Sequence, residues 1–274
     1  LTTYNTVVNA YHYRTLIIMS KIAGLLNIDG DAKKYCQQAE EVKTCINSLL
    51  FDLEKQCYRD GVGSKHHSLH ANMFPLAFGI VPEKHKEKVC EYIRSRGMAC
   101  SVYGSQFLLD ALYEADMDDY ALSLLNNTGL RSWYNMIRLG STMTLEAWDQ
   151  KFKPNLDWNH AWGAAPANII PRYIIGLQPI EGGFRKMRIK PHPGSLQFAS
   201  AIIPTIQGDV RVTYDNKTHE AFNLHVVIPA NCEAEIWMPR YGKSNTLIIN
   251  GKKTRAKSNG RYMIVTIGSG PSHI

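Results

Sequence analysis

No apolar run in these 274 residues reaches the roughly 18–20 that a membrane-crossing helix needs. No two of the six cysteines (Cys36, Cys45, Cys57, Cys90, Cys100, Cys232) have the C-x-x-C spacing of a zinc or redox site. They read as small buried hydrophobes and fix no compartment. Neither G-x-x-x-x-G-K-[ST] nor G-x-G-x-x-G occurs, and Gly61-Val62-Gly63-Ser64-Lys65 lacks the spacing of the first, which disfavours phosphate-loop chemistry. No strand–turn–helix elbow carries a Ser-His-Asp set. His66, His67 and His70 spell H-H-x-x-H with no Glu between them, which is not a zincin pattern, so no metal is expected. The opening Leu1-Thr2-Thr3-Tyr4 has no Met and no basic start leading into an apolar stretch. It reads as a mature chain or a piece of a longer one.

What is present fits a folded protein of one or two domains. Hydrophobic residues make up 45% and charged residues 20%, too apolar for a disordered chain. The net charge of +7 is uneven. Up to Gly176 the sequence has 18 basic and 18 acidic residues; from Leu177 on it has 13 and 6. Only Lys252-Lys253-Thr254-Arg255-Ala256-Lys257 is a true basic cluster, so scattered surface charge is expected rather than a nucleic-acid site.

The chain changes character near residue 177. Before it, apolar residues recur at helical spacing. Val7, Val8, Tyr11, Leu16, Ile17, Met19, Ile22 and Leu25 predict a helix over 4–26, and Asp31 is a candidate N-cap for a second, to about Leu50. Further helices are expected over 69–78, from Pro82, over 105–115, 118–126 and 132–139, and over 160–175 with interruptions at Pro166 and Pro171. No strand signal lies between them. Long and short helices alternate on short connections, as in two concentric layers of a toroid.

After residue 177 the period becomes two. Strands are expected over 184–190, 196–203, 208–214, 221–228, 234–238, 246–249 and 262–267. Asn250-Gly251 and Asn259-Gly260 suit tight type I′ turns. Seven short strands with regular turn signals indicate an antiparallel sandwich.

Two segments concentrate polar and aromatic groups: Gly140-Ser141-Thr142-Met143-Thr144-Leu145-Glu146-Ala147-Trp148-Asp149 and Asp157-Trp158-Asn159-His160-Ala161-Trp162-Gly163. Aromatic rings suit the apolar faces of sugars, and carboxylates, Asn and His bind hydroxyls. An aromatic-rich packing loop would have the same composition.

These segments, with Arg172-Tyr173-Ile174-Ile175-Gly176-Leu177-Gln178-Pro179 and Gly183-Phe184 through Ile189-Lys190-Pro191, resemble the end of the catalytic domain of bacterial α-L-rhamnosidases, glycoside hydrolase family 78. Thr6 to Tyr13, Ala32 to Leu50 and His70 to Pro82 are similar to helices of the family's barrel. The resemblance implies an (α/α)6 toroid followed by a C-terminal β-sandwich, divided here as 1–178 and 179–274. A toroid of six hairpins needs more helices than the eight counted here. The family's acidic D-x-x-x-D-E-R motif, which carries its general acid, is absent. The chain is therefore expected to be the C-terminal portion of a larger enzyme, with the N-terminal part of that enzyme as its partner.

The resemblance also implies roles. Family members invert the anomeric carbon, and Glu146 matches their general base. His160 matches a His that hydrogen-bonds sugar hydroxyls. Trp148 and Trp162 are candidates either for pocket walls or for plain core packing, and Asn159 is a candidate sugar or loop contact. Leu145 and Ala147 stand where the family often has Trp and Arg. The substrate class implied is a glycan or glycoside with terminal α-L-rhamnose; no cofactor, nucleic acid or membrane is implied. A non-catalytic carbohydrate-binding fragment and a different exo-glycosidase on the same plan remain open.

Overall fold

The computed structural model describes residues 2–217 and 221–274. The chain forms two compact units, Leu1–Ala165 and Pro166–Ile274.

The first unit is helical, as its 3.6-residue periodicity predicts. Helix α1 (Thr6–Leu25) starts at Asn5, whose side chain accepts a hydrogen bond from the Val8 N–H at 3.2 Å. Helix α2 (Asp29–Leu49) starts two residues before the expected cap. Ile28 precedes it without a side-chain bond, and Asp29 and Asp31 lie inside the first turn, where negative charge opposes the helix dipole. A small hairpin follows, β1 (Phe51–Asp52) with β2 (Cys57–Tyr58), which the sequence did not signal.

Next come α3 (His70–Ala77), α4 (Glu83–Arg96), α5 (Gly104–Glu114), α6 (Asp118–Leu125) and α7 (Trp133–Arg138). Ala71 to Leu76 of α3 are all buried, and α5 buries seven residues. By contrast α2 buries only Ala39 and Ile46, and α4 only Val89, Cys90 and Ile93. Nearly all-buried helices thus alternate with one-stripe helices, which is the two-layer arrangement. The buried Asn72 of α3 ties the hairpin to it: its Oδ1 accepts from Tyr58 N–H at 2.8 Å and its Nδ2 donates to Tyr58 C=O at 3.0 Å. His66 and His67 are each engaged by a carboxylate, Asp60 at 2.5 Å and Asp52 at 3.1 Å, in a structural rather than a ligating arrangement.

The six thiols are free. Four are buried as expected, but Cys36 and Cys45 are exposed on α2. Burial pushes the Cys57 thiol up to about 11 and Cys100 to about 12, so neither is a ready nucleophile.

The chain then winds through a 3-10 turn (Ala161–Gly163), α8 (Ala165–Ile169) and one π turn (Ile170–Ile174). The π turn closes with Ile175 N–H on the Ile170 C=O at 2.9 Å, beside Pro171, which has no N–H to give.

The second unit is a sandwich. One sheet runs β11 (Lys257–Ser258), β12 (Tyr262–Ile267), β8 (Glu233–Pro239), β4 (Lys186–Ile189), β3 (Leu177–Pro179). The other runs β13 (Gly270–His273), β7 (Ala221–Ile228), β6 (Gly208–Lys217), β5 (Phe198–Thr205), and β9 (Thr246–Ile249) pairs with β10 (Lys252–Arg255). Among the described residues the strand pairings are antiparallel except β4 with β8, where Met187 lies opposite Ala234. Alternate residues of the strands fill one interior, including Met187, Val212, Tyr214, Val226 and Ile236. Asn250 (φ 48°) and Gly251 (φ 79°) both take positive φ between β9 and β10, the type I′ geometry their pairing predicts. Asn259-Gly260 makes a different turn: only Gly260 is positive, and Asn259 Oδ1 accepts from Tyr262 N–H at 3.0 Å.

Candidate active site

The expected site residues lie in the first unit, on the irregular chain after α7. Two backbone hydrogen bonds lay residues 144–146 beside 157–160: Glu146 N–H to Asp157 C=O at 3.0 Å, and His160 N–H to Thr144 C=O at 2.8 Å. The Thr144 hydroxyl returns a bond to the His160 C=O at 2.7 Å. Gly163 packs so tightly against this pair that a Cβ there would stand 2.7 Å from the Leu145 carbonyl oxygen. The two motifs are therefore one structure, which is why the side chains of Glu146, Asp157 and His160 converge to within 4.8 Å of one another.

Glu146 is 16% exposed. Its Oε1 carries the Lys153 ammonium, and its Oε2 accepts from Asp157 N–H at 3.1 Å. Lys153 first, then that N–H, holds the carboxyl below the usual carboxylate range. The three converging groups have the chemistry to share a cation, but Lys153 already supplies the positive charge.

His160 caps the 3-10 turn: its Nδ1 accepts from Trp162 N–H at 3.2 Å, which puts the neutral ring's proton on Nε2. Trp162 is 58% exposed and sits between two rings, His160 at 4.7 Å and Tyr103 at 5.5 Å. Tyr103 continues into Phe107 of α5 at 5.8 Å, and Phe107 into Tyr11 of α1 at 5.9 Å. Burial, then the neighbouring Tyr103, pushes the Tyr11 hydroxyl up to about 12. Asn159 is exposed.

Trp148 is elsewhere. It is 3% exposed, its Nε1 donates to the Cys100 C=O at 2.7 Å, and its ring meets Trp133 edge-on at 5.0 Å. This leaves no open face for a ligand, so of the two readings offered for Trp148 its place in the structure fits packing. The next residue, Asp149, accepts from Asn135 Nδ2 at 2.9 Å and Lys151 N–H at 2.9 Å. The same amide of Asn135 donates to the Trp148 C=O at 3.0 Å, so a fully buried Asn anchors the segment. Sequence reasoning did not bring out the contact of Lys153 with Glu146 or that of Tyr103 with Trp162. Neither contact has a local pattern, since both partners are made adjacent by folding.

Residues 1–174 match the bacterial alpha-L-rhamnosidase 6 hairpin glycosidase domain, and residues 176–252 match the bacterial alpha-L-rhamnosidase C-terminal domain. An alpha-L-rhamnosidase of Alteromonas sp. (strain LOR) is 26% identical over 254 residues, 88% of this chain and 27% of that protein. One from Formosa agariphila is 28% identical over 201 residues, 68% of this chain and 22% of the relative. The alpha-L-rhamnosidase structure from Dictyoglumus thermophilum superposes with a TM-score of 0.85 at 25% identity, covering 96% of this chain and 31% of that one. The Streptomyces avermitilis enzyme, solved with L-rhamnose, shares the fold at a TM-score of 0.80 and 21% identity, over 97% of this chain and 26% of its own. This chain thus spans about a fifth to a third of the length of these relatives. With the six-hairpin domain matched over residues 1–174 and its C-terminal domain following, the chain belongs to the bacterial α-L-rhamnosidase family.

Proposed function

We propose that this chain is the C-terminal portion of an inverting α-L-rhamnosidase that releases terminal α-L-rhamnose from glycans or glycosides. Its helical part, 1–178, contributes half of the catalytic barrel, and 179–274 is the sandwich that follows. The rest of the same enzyme supplies the other half and the general acid. Helix α1 supports a missing covering: besides its buried Ala10, Tyr13 and Leu16 it exposes Val8, Ile18, Met19, Ile22 and Leu25. The exposed apolar residues share the surface of α1 with His12, Arg14 and Lys21, and a surface that apolar is commonly covered by a partner.

The observation that carries the mechanism is the setting of Glu146. An inverting base must be ionised before reaction, must face a water, and must stand across the sugar from the acid. Glu146 is held ionised by Lys153 and a backbone N–H, keeps some exposure, and lies beside His160 and the exposed Trp162. In the step itself, the Glu146 carboxylate takes a proton from the water whose oxygen attacks C1. The glycosidic C–O bond breaks, and the acid in the other part protonates the departing oxygen. In this reading His160 and Asp157 bind sugar hydroxyls, and the Trp162 face receives the ring's apolar side. Asn159 lies in the same exposed segment and is a candidate polar contact. Trp148 acts through packing.

The test is Glu146→Gln in the full-length parent, assayed on an aryl α-L-rhamnoside. Loss of a general base lowers turnover by about 10²–10⁴-fold. Undiminished turnover with the fold intact would remove Glu146 from the mechanism.

A further inference from the structure

Glu146 and Asp157 bring two carboxylates to one place, with the His160 imidazole completing the group within 4.8 Å. A carboxylate serves as a general base only while it is ionised, so what holds its charge and its orientation matters here. The charged and titratable groups facing Glu146 are Lys153, Asp157 and His160. Among them Lys153 is the permanent cation, and it sits directly on Oε1.

Its placement is built into the chain. Lys153 lies in the excursion between the two paired segments, and this excursion is fastened on both sides. Phe152 N–H bonds the Asp149 C=O at 3.0 Å, and Leu156 N–H bonds the Lys153 C=O at 3.1 Å. Leu156 is buried, and the Phe152 ring lies 4.9 Å under the Arg131 guanidinium. Asp149, itself fixed by Asn135, accepts from Lys151 N–H. The ammonium is thus delivered to Glu146 by an anchored turn.

We propose that Lys153 is a positioning residue for hydrolysis: it keeps Glu146 ionised beside Asp157, and with the Asp157 N–H it fixes the orientation of the carboxylate. This rests on Glu146 being the base. The carboxylate has lone pairs beyond the two in use, so a water can still bind it. When Glu146 takes the water's proton the ion pair weakens, and when the proton leaves the pair restores the ionised base.

The experiment compares pH profiles of kcat/KM in the full-length parent for wild type, Lys153→Met and Lys153→Arg, with Glu146→Gln alongside. Removing an opposite charge at contact moves a carboxyl by about 1–3 units, so Lys153→Met should raise the acidic limb by about one unit or more. Lys153→Arg should return it toward wild type, and KM should change less than kcat below the limb. A carbon-13 NMR titration of the Glu146 carboxyl in the full-length parent without substrate should show the same upward shift in the absence of turnover. If Lys153→Met fails to fold, Lys153→Gln is read in the same way. An unmoved limb and an unmoved carboxyl titration, with Glu146→Gln inactive, would overturn the role of Lys153 and leave the base standing. An active Glu146→Gln enzyme would instead overturn the base, and Lys153 with it.

Discussion

In the helical unit Asn72, Ser132 and Asn135 are fully buried, and each carries hydrogen bonds that hold non-helical chain in place. In the sandwich the interior from Val210 and Val212 to Ile236 is almost wholly apolar. Asn216 is the main polar exception, bonding the Leu196 C=O at 3.0 Å. The difference follows from where backbone groups find partners. Sheet ladders satisfy their own N–H and C=O, so strands leave the interior free for side chains that only fill space. The irregular chain after α7 has no ladder, and buried amides and an indole N–H do that work. Irregular chain can aim side chains in ways a regular element cannot, and Glu146, Lys153 and His160 all sit on it. If this is correct, the helical unit should be most sensitive to loss of specific polar or aromatic anchors and the sandwich to loss of volume.

The largest effect is expected at Trp148. Its removal deletes a buried ring and orphans the Cys100 carbonyl at once. Trp148→Ala should cost about 3–5 kcal/mol, read by urea unfolding of this chain, while Trp148→Phe should recover much of the packing but not the hydrogen bond. A small loss for Trp148→Ala would mean the ring is not an anchor. On the sandwich side, Ile236 is fully buried, and Ile236→Ala should cost about 2–5 kcal/mol through the lost contacts and the cavity left behind.

Asn135→Ala is the polar counterpart. It leaves the Trp148 carbonyl and Asp149 without their amide donor, at about 1–3 kcal/mol. It should also loosen the Asp149 turn. Asp149 is held below its ordinary range by the Lys151 N–H first and then by Asn135. A depressed folded value means the contribution is complete above the unfolded carboxyl's range and is lost as pH falls through the folded one. In Asn135→Ala that acid-side loss should be smaller, seen as a flatter decline in stability below about pH 4.

Legibility in the sequence divides along the same line. Each helix from α1 to α7 follows from apolar spacing, and Asn250-Gly251 names its own turn, because these depend on residues a few positions apart. The β1–β2 hairpin went unread: two-residue strands have no period, and what holds them is Asn72, in the next helix. The parallel pairing of β4 with β8 joins residues 47 apart, such as Arg188 and Glu235, and leaves no local mark. In the candidate site, the motifs bring Glu146 and His160 to notice, and the backbone pairing of their segments brings them together. The place of Trp148 was not readable, since its burial depends on a carbonyl 48 residues earlier. Lys153 was not, since a lysine between Phe152 and Pro154 looks like any surface lysine until the turn brings it back to Glu146.

The smallest effect has the opposite sign, and it sharpens the contrast most. Tyr214, in the middle of β6, is 1% exposed and packs on Phe222 at 5.1 Å, yet its hydroxyl has no hydrogen-bond partner among the described residues. Burial pushes that hydroxyl well above its ordinary range. In an interior that works by filling space, an unsatisfied hydroxyl is a cost without a return. Tyr214→Phe keeps the ring and removes the stranded group, so it should raise stability by about 1 kcal/mol, measured as a higher urea midpoint at unchanged slope. The same deletion of one polar group in the helical unit, at Asn135, lowers stability. Opposite signs for two buried polar groups of similar exposure would show that what matters is whether folding gave the group a partner. A loss of stability in Tyr214→Phe would mean that the hydroxyl is bonded after all, and that the sandwich interior is less purely apolar than its strands suggest.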